Sequence, residues 1–130
     1  MANVILDSNI VIAYIENQNE NHEAAKAAVD TIRDAICISA LTLTECLIFT
    51  FRESYEFAME SLLTIDGLID FVFEVSRDIA ILAARIGAES GLNLADAVIL
   101  ATADFHKIAL WTFDRRLSNK SRNAKYLLSV

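Results

Sequence analysis

The sequence predicts an α/β fold: a three-layer α/β/α sandwich with a mainly parallel central sheet, formed as a single domain over residues 1–130. Three observations predict it. Short runs that are apolar at every position, Val4-Ile5-Leu6 and Ile36-Cys37-Ile38, alternate with longer segments of helical periodicity. Continuous apolar runs suit strands buried on both faces, as in a parallel sheet clad by helices. No Pro/Gly/Ser-rich linker, repeat or low-complexity tract divides the chain, which has no proline and three glycines.

The elements follow in order. Val4-Ile5-Leu6 reads as the first strand and ends at Asp7. Helices are expected over 9–16 and 20–33. Ile36-Cys37-Ile38 forms the second strand and ends at Ser39. Helical pattern resumes at Thr42 and runs to Leu63, with a break near Arg52 to Ser54. Thr42-x-x-Glu45 matches a capping box at its start. From Ile69 to Val75 apolar residues alternate with Asp70 and Glu74, as in a strand exposed on one face. Ser76 reads as the N-cap of a helix ending near Gly87 or Gly91, and Asn93 as the cap of another running to His106. Ala109 to Phe113 and Lys125 to Leu128 complete the set as strands.

Composition narrows the function classes. The chain is 55 % hydrophobic, enough for a sizeable core and for some apolar surface that a partner covers. Its longest apolar region, Ile36 to Phe51, is too short to span a bilayer and is interrupted by Glu45. The N-terminus lacks the pattern of a secretory signal, so a cytoplasmic location is expected. Cys37 and Cys46 lie among apolar residues without metal-ligand spacing and read as reduced core thiols, with a disulfide as the alternative. The net charge of −7 is unevenly spread: residues 1–106 hold 17 acids and 5 Lys/Arg, whereas residues 107–130 hold only Asp114 and 6 Lys/Arg. A basic end beside an acidic body suits either a phosphate backbone or an ordinary solvated terminus. No Gly-rich phosphate loop is present.

Four acids stand apart by position. Asp7 and Asp114 follow strands, while Glu45 and Asp96 lie in the first turns of helices. Each singly has a structural explanation as a cap or a complement to a helix dipole. A parallel sheet, however, brings these places together at one edge. Two carboxylates about 5 Å apart repel by roughly 3 kcal/mol at an effective dielectric of about 20. Four converging acids without His or Cys therefore point to a hard cation, Mg²⁺ or Mn²⁺, and to metal-assisted phosphodiester chemistry.

The motifs around these acids carry a family resemblance. Leu6-Asp7-Ser8-Asn9-Ile10-Val11-Ile12, Thr42-Leu43-Thr44-Glu45, Leu94-Ala95-Asp96-Ala97-Val98-Ile99-Leu100-Ala101-Thr102-Ala103 and Thr112-Phe113-Asp114-Arg115-Arg116-Leu117 resemble, in order and spacing, the four motifs of PIN domains, in particular the VapC-type toxins. The resemblance implies a Mg²⁺- or Mn²⁺-dependent endoribonuclease acting on RNA, a homodimer, and a small antitoxin protein as partner. It implies Asp7, Glu45, Asp96 and Asp114 as catalytic and metal-holding residues, with Asn9 and Thr112 supporting them by hydrogen bonds. Read from the residues alone, Asn9 is equally a helix N-cap and Thr112 a β-branched strand residue. Arg115 and Arg116 are candidates for steering RNA phosphates, or else complete a solvated helix or pair with the acids.

Other readings remain open at this point. A PIN nuclease of RNA processing fits the same motifs. A non-catalytic protein-binding module fits the hydrophobicity and negative charge. A phosphatase using Asp7 as nucleophile usually needs an acid two residues on, where Asn9 stands. His22 and His106 read as structural, and Asp104 as a surface acid. Trp111 and the seven phenylalanines read as mostly core, with some available for a dimer or antitoxin surface.

Overall fold

Each continuous apolar run becomes a strand with both faces covered. The structure, a computed structural model, describes residues 3–128; the ends of the expected 1–130 span lie outside the described residues. The order is β1 (Val4–Leu6), α1 (Ser8–Ile15), α2 (His22–Asp30), β2 (Ile36–Ser39), α3 (Ala40–Glu53), α4 (Tyr55–Leu68), β3 (Phe71–Phe73), α5 (Arg77–Ser90), α6 (Leu94–His106), β4 (Ala109–Thr112), α7 (Arg115–Ser118) and β5 (Ala124–Tyr126). The five strands form one sheet in the order β3-β2-β1-β4-β5, and every pairing is parallel.

Alternation along the strands splits the interior into two cores. Ile5, Cys37 and Leu110 face one side, where they meet Ile79 of α5, Ile99 of α6 and Leu117 of α7. Val4, Leu6 and Ile38 face the other, against Ile10 of α1, Val29 of α2, Cys46 of α3 and Ile65 of α4. The result is the expected three-layer sandwich. Ile5 sits at the centre of the sheet, wholly buried. Truncating such a residue to alanine costs about 2–5 kcal/mol. Cys37 and Cys46 are buried free thiols on opposite sides of the sheet.

The strand order positions the site. From β1 the chain passes outward through β2 to β3, then returns to β4 on the other flank of β1 and continues to β5. The order reverses between β1 and β4. Crossover connections leave in opposite directions there, which opens a crevice above the carboxyl ends of those two strands.

Several boundaries differ from expectation for identifiable reasons. The helix expected at Thr42 begins at Ala40, because Ser39 ends β2 and its hydroxyl accepts from Leu41 N at 3.1 Å. The expected capping box is therefore displaced by an earlier cap, and Thr42 is buried inside the helix. Its break falls at Ser54, which caps α4 by accepting from Phe57 N. Helix α2 spans only His22–Asp30, shorter than expected at both ends. The third strand contracts to Phe71–Phe73, and as an edge strand it leaves both Phe71 and Val72 exposed. Phe73, Phe113 and Trp111 are partly buried and pack against the two cores, whereas Phe51, Phe71 and Phe105 are exposed, so the expected core role holds for only part of the set. The caps at Ser76 and Asn93 fall where expected. Gly91 ends α5 at φ 75°, a left-handed conformation suited to glycine.

Candidate active site

Asp7 is placed by both the sheet and the first helix. Its backbone N donates to Trp111 O at 2.9 Å, which extends the β1–β4 pairing by one step. Its extended backbone makes it, and not Asn9, the N-cap of α1, with Oδ1 accepting from Ser8 N at 2.8 Å. Its other oxygen, Oδ2, accepts from the Thr112 hydroxyl at 2.7 Å. That hydroxyl itself accepts from Asn9 Nδ2 at 3.3 Å and from Asp114 N at 2.9 Å. A hydroxyl has one proton and two lone pairs. With both lone pairs taken by N–H donors, its proton must point at Asp7. Asn9 is locked in turn, since its Oδ1 accepts from Phe113 N at 3.1 Å. Residues about a hundred positions apart thus form one rigid corner.

The other three acids enter from helix ends. Asp114 caps α7, its Oδ1 accepting from Arg116 N and Leu117 N. Asp96 is the third residue of α6, held where Asn93 Oδ1 accepts its backbone N–H at 2.8 Å. Glu45 stands in the second turn of α3.

Electrostatics link all four. Burial pushes the Asp7 carboxyl up to about 6, against the pull of its Thr112 and Ser8 hydrogen bonds, and the Asp96 and Glu45 carboxylates push it further. Glu45 is raised by burial and then by Asp96, with the Ser8 side chain opposing. Asp96 is raised by burial and then by Asp114, with Arg116 and Asn93 opposing. The topology therefore gathers Asp7, Glu45, Asp96 and Asp114 in one negative field.

The donor set suits a hard divalent cation. Glu45 Oε1 is buried without a hydrogen-bond partner, an arrangement that is costly for a carboxylate. Among the described residues no three His, Cys, Asp or Glu side chains stand close enough to form a ready-made metal cage. That arrangement is compatible with Mg²⁺, which keeps several waters and takes only one or two direct carboxylates. It does not suit a structural zinc, which needs a closed tetrahedral set of N/S ligands.

The arginines divide. Arg116 Nη2 reaches Gly91 O at 3.4 Å, and its charge acts on Asp96. Arg115 lies over the Tyr126 ring at 4.3 Å. Beside the acids runs a cleft of about 360 Å³ lined by Ser8, Ile12, Glu45, Ile48, Phe49 and Arg52. Sequence reasoning missed Ser8 and Arg52. The signal was available: positions 45, 48, 49 and 52 share one helical face with the recognised Glu45.

The remaining candidates lie elsewhere. His22 Nδ1 sits 2.7 Å from Ala13 O, and His106 stacks on Phe73. Asp104 is not the free surface acid expected. It is half-buried, and its Oδ1 accepts from Ser121 Oγ at 2.8 Å and Asn123 Nδ2 at 2.9 Å, tying the loop before β5 to α6.

Comparison with known proteins adds a family and a fold. The PIN domain family model matches residues 4–123. Among solved structures, a toxin–antitoxin complex from Klebsiella pneumoniae is similar at a TM-score of 0.81 and 23 % identity, covering 98 % of this chain and 99 % of that one. The Mycobacterium tuberculosis protein VapC20, a Sarcin-Ricin loop cleaving toxin, is similar at 0.80 and 17 % identity, covering 89 % and 93 %. DNA-bound VapBC from Salmonella typhimurium is similar at 0.71 and 24 % identity, covering 98 % and 100 %. No curated protein matches the chain.

Proposed function

The chain belongs to the PIN-domain family, and on that premise we propose that it is a Mg²⁺- or Mn²⁺-dependent endoribonuclease, the toxin of a toxin–antitoxin pair. The observation that carries this reading is the uncompensated negative charge of the acids. Burial and neighbouring carboxylates raise Asp7 to about 6 and also raise Glu45 and Asp96, and Glu45 keeps a buried oxygen without a partner. Removing such groups from water without compensation is unfavourable, and a divalent cation supplies the compensation.

Asp7, Glu45, Asp96 and Asp114 would hold the metal, directly or through water. When bound, the ion supplies charge neutralisation and Lewis-acid polarisation of a phosphate. The chain's own residues do the positioning. The Thr112 hydroxyl donates to Oδ2 of Asp7, which favours the charged carboxylate, and Asn9 Nδ2 donates to Thr112. Metal ligands are commonly oriented by such outer partners. The start of α1, capped by Asp7, adds the positive end of a helix dipole beside the acids. Arg116 moderates Asp96 and would meet an RNA phosphate. Arg115, stacked on Tyr126, would meet RNA further along the basic end.

RNA as substrate is supported by the similar Mycobacterium tuberculosis toxin, which cleaves a Sarcin-Ricin loop. An antitoxin partner is supported by the similar Klebsiella and Salmonella complexes. Exposed Phe51, Tyr55 and Leu63 on α3 and α4 offer apolar surface for that partner or for a second copy in a homodimer. A single domain acting in the cytoplasm completes the reading. No helix among the described residues is long and apolar enough to cross a membrane.

The test is cleavage of labelled structured RNAs by the purified protein with Mg²⁺, Mn²⁺ or EDTA, alongside Asp7→Asn. Metal-dependent cleavage that disappears in the variant supports the nuclease. Equal activity in both proteins exposes a contaminant. No cleavage and no metal binding would favour a protein-binding module.

A further inference from the structure

We propose that the cleft between α1 and α3 is an RNA-strand subsite ending in Arg52, which holds a phosphate next to the scissile one. The inference rests on the nuclease reading and adds to it a strand path and a phosphate anchor. Three features carry it. First, the cleft reaches the acidic site at Glu45, and Ser8, the residue after Asp7, also lines it. Second, Glu45 and Arg52 are seven residues apart on one helix, two turns along the same face and about 10 Å apart at 1.5 Å rise per residue. The cleft thus runs from an acidic end, where a cation would bridge to a phosphate, to a cationic end that binds one directly. Third, among the described residues no ion pair or side-chain hydrogen bond occupies Arg52, unlike Arg116, which reaches Gly91 O, and Arg115, which lies on Tyr126.

The walls between the two ends are apolar. Ile48 and Phe49 line them from α3 and Ile12 from α1. Single-stranded nucleic acid is held by this combination, cationic groups tracking the backbone and apolar or aromatic surface packing on the bases. An Arg contacts phosphate through a fork of N–H donors, which adds geometry to charge. A protein segment would have to present an acidic side chain to Arg52 and a basic one to Glu45, whereas a strand repeats the same phosphate along its length. The strand with a cation at its scissile phosphate satisfies both ends at once.

Arg52 is a positioning residue on this account, so the test separates binding from chemistry. Cleavage of a short fluorescein-labelled single-stranded RNA would be followed with Mn²⁺ for the parent, Arg52→Ala and Arg52→Lys. Affinity for the same RNA would be measured across a salt series in the Asp96→Asn background. Arg52→Ala is expected to raise KM roughly tenfold with kcat nearly unchanged, in line with loss of one charge-assisted hydrogen-bonded contact. The slope of log affinity against log salt should fall by about 0.7, one phosphate contact to a single strand. Arg52→Lys should restore that slope. Arg52 also lies in the last turn of α3, where a cation complements the helix dipole, but that role would leave the salt slope unmoved. A parent that cleaves RNA while Arg52→Ala keeps its KM and slope overturns the subsite and spares the nuclease. A parent that cleaves nothing, yet loses slope on Arg52→Ala, overturns the nuclease reading and keeps the strand path.

Discussion

Two aspartates in this molecule sit at the centre of polar networks, and they differ in what surrounds them. Asp104 on α6 accepts two hydrogen bonds on one oxygen, from Ser121 and Asn123, and the network closes a loop. Asp7 also accepts two, from Ser8 N and Thr112 Oγ1, yet its carboxyl is pushed up to about 6 because it is 3 % exposed and faces Asp96 and Glu45. A carboxylate ringed by donors completes its own environment and serves the fold. A carboxylate taken almost wholly out of water beside other carboxylates is left with an unmet demand for positive charge, and that demand points to a ligand. Hydrogen-bond count does not distinguish the two; burial does first, and the sign of the neighbours adds to it.

The largest test of this contrast is in activity. Asp7→Asn or Asp96→Asn should lower metal-dependent RNA cleavage by roughly 10³-fold or more, since each removes a charge needed to hold the ion. Asp104→Asn should leave the rate within about twofold, since its network lies outside the crevice. Initial rates at saturating Mn²⁺ compare them. Next comes Thr112→Val, which keeps the shape of the strand residue but frees Asp7 Oδ2. It should weaken metal affinity or activity by about 10–100-fold, the usual effect of losing an outer partner.

A third test uses stability without metal. The folded Asp7 carboxyl titrates near 6 and its ordinary value is 3.8. The folded state therefore favours the proton, and the metal-free protein loses stability as pH rises from about 4 through about 6. Two pKa units correspond to about 3 kcal/mol at most. Asp7→Asn should accordingly be more stable than the parent at pH 7 by about 1–3 kcal/mol, with the difference vanishing near pH 4. Urea unfolding in EDTA at the two pH values reads it directly. The smallest effect expected is that of Asp104→Asn on stability, a loss of about 1 kcal/mol from disturbing a half-buried network.

Much of this was legible in the sequence. Strands β1 and β2 announce themselves because residues buried on both faces leave no polar position, and the caps Ser76 and Asn93 mark α5 and α6 through their own hydrogen bonds. The four acids were legible because each sits at a strand end or helix start, where a parallel sheet converges. What stayed hidden depends on tertiary context. Thr42 and Glu45 imitate a capping box, while the operative cap, Ser39, is the last residue of a strand. Asn9 bonds through Thr112 to Asp7 across a separation of over a hundred residues, which no local pattern encodes. Asp104 resembles a surface acid until the loop before β5 folds onto it. Arg52 looked like a helix end because the cleft beside it exists only once α1 lies against α3.

The measurement that bears most directly on the acidic crevice is calorimetric titration of Mn²⁺ into the metal-free parent, Asp7→Asn and Asp104→Asn. Saturable binding by the parent and by Asp104→Asn is expected, with Asp7→Asn weaker by about tenfold or more, and proton release on binding to the parent near pH 6. Absence of binding to the parent, or equal binding by Asp7→Asn, would contradict it.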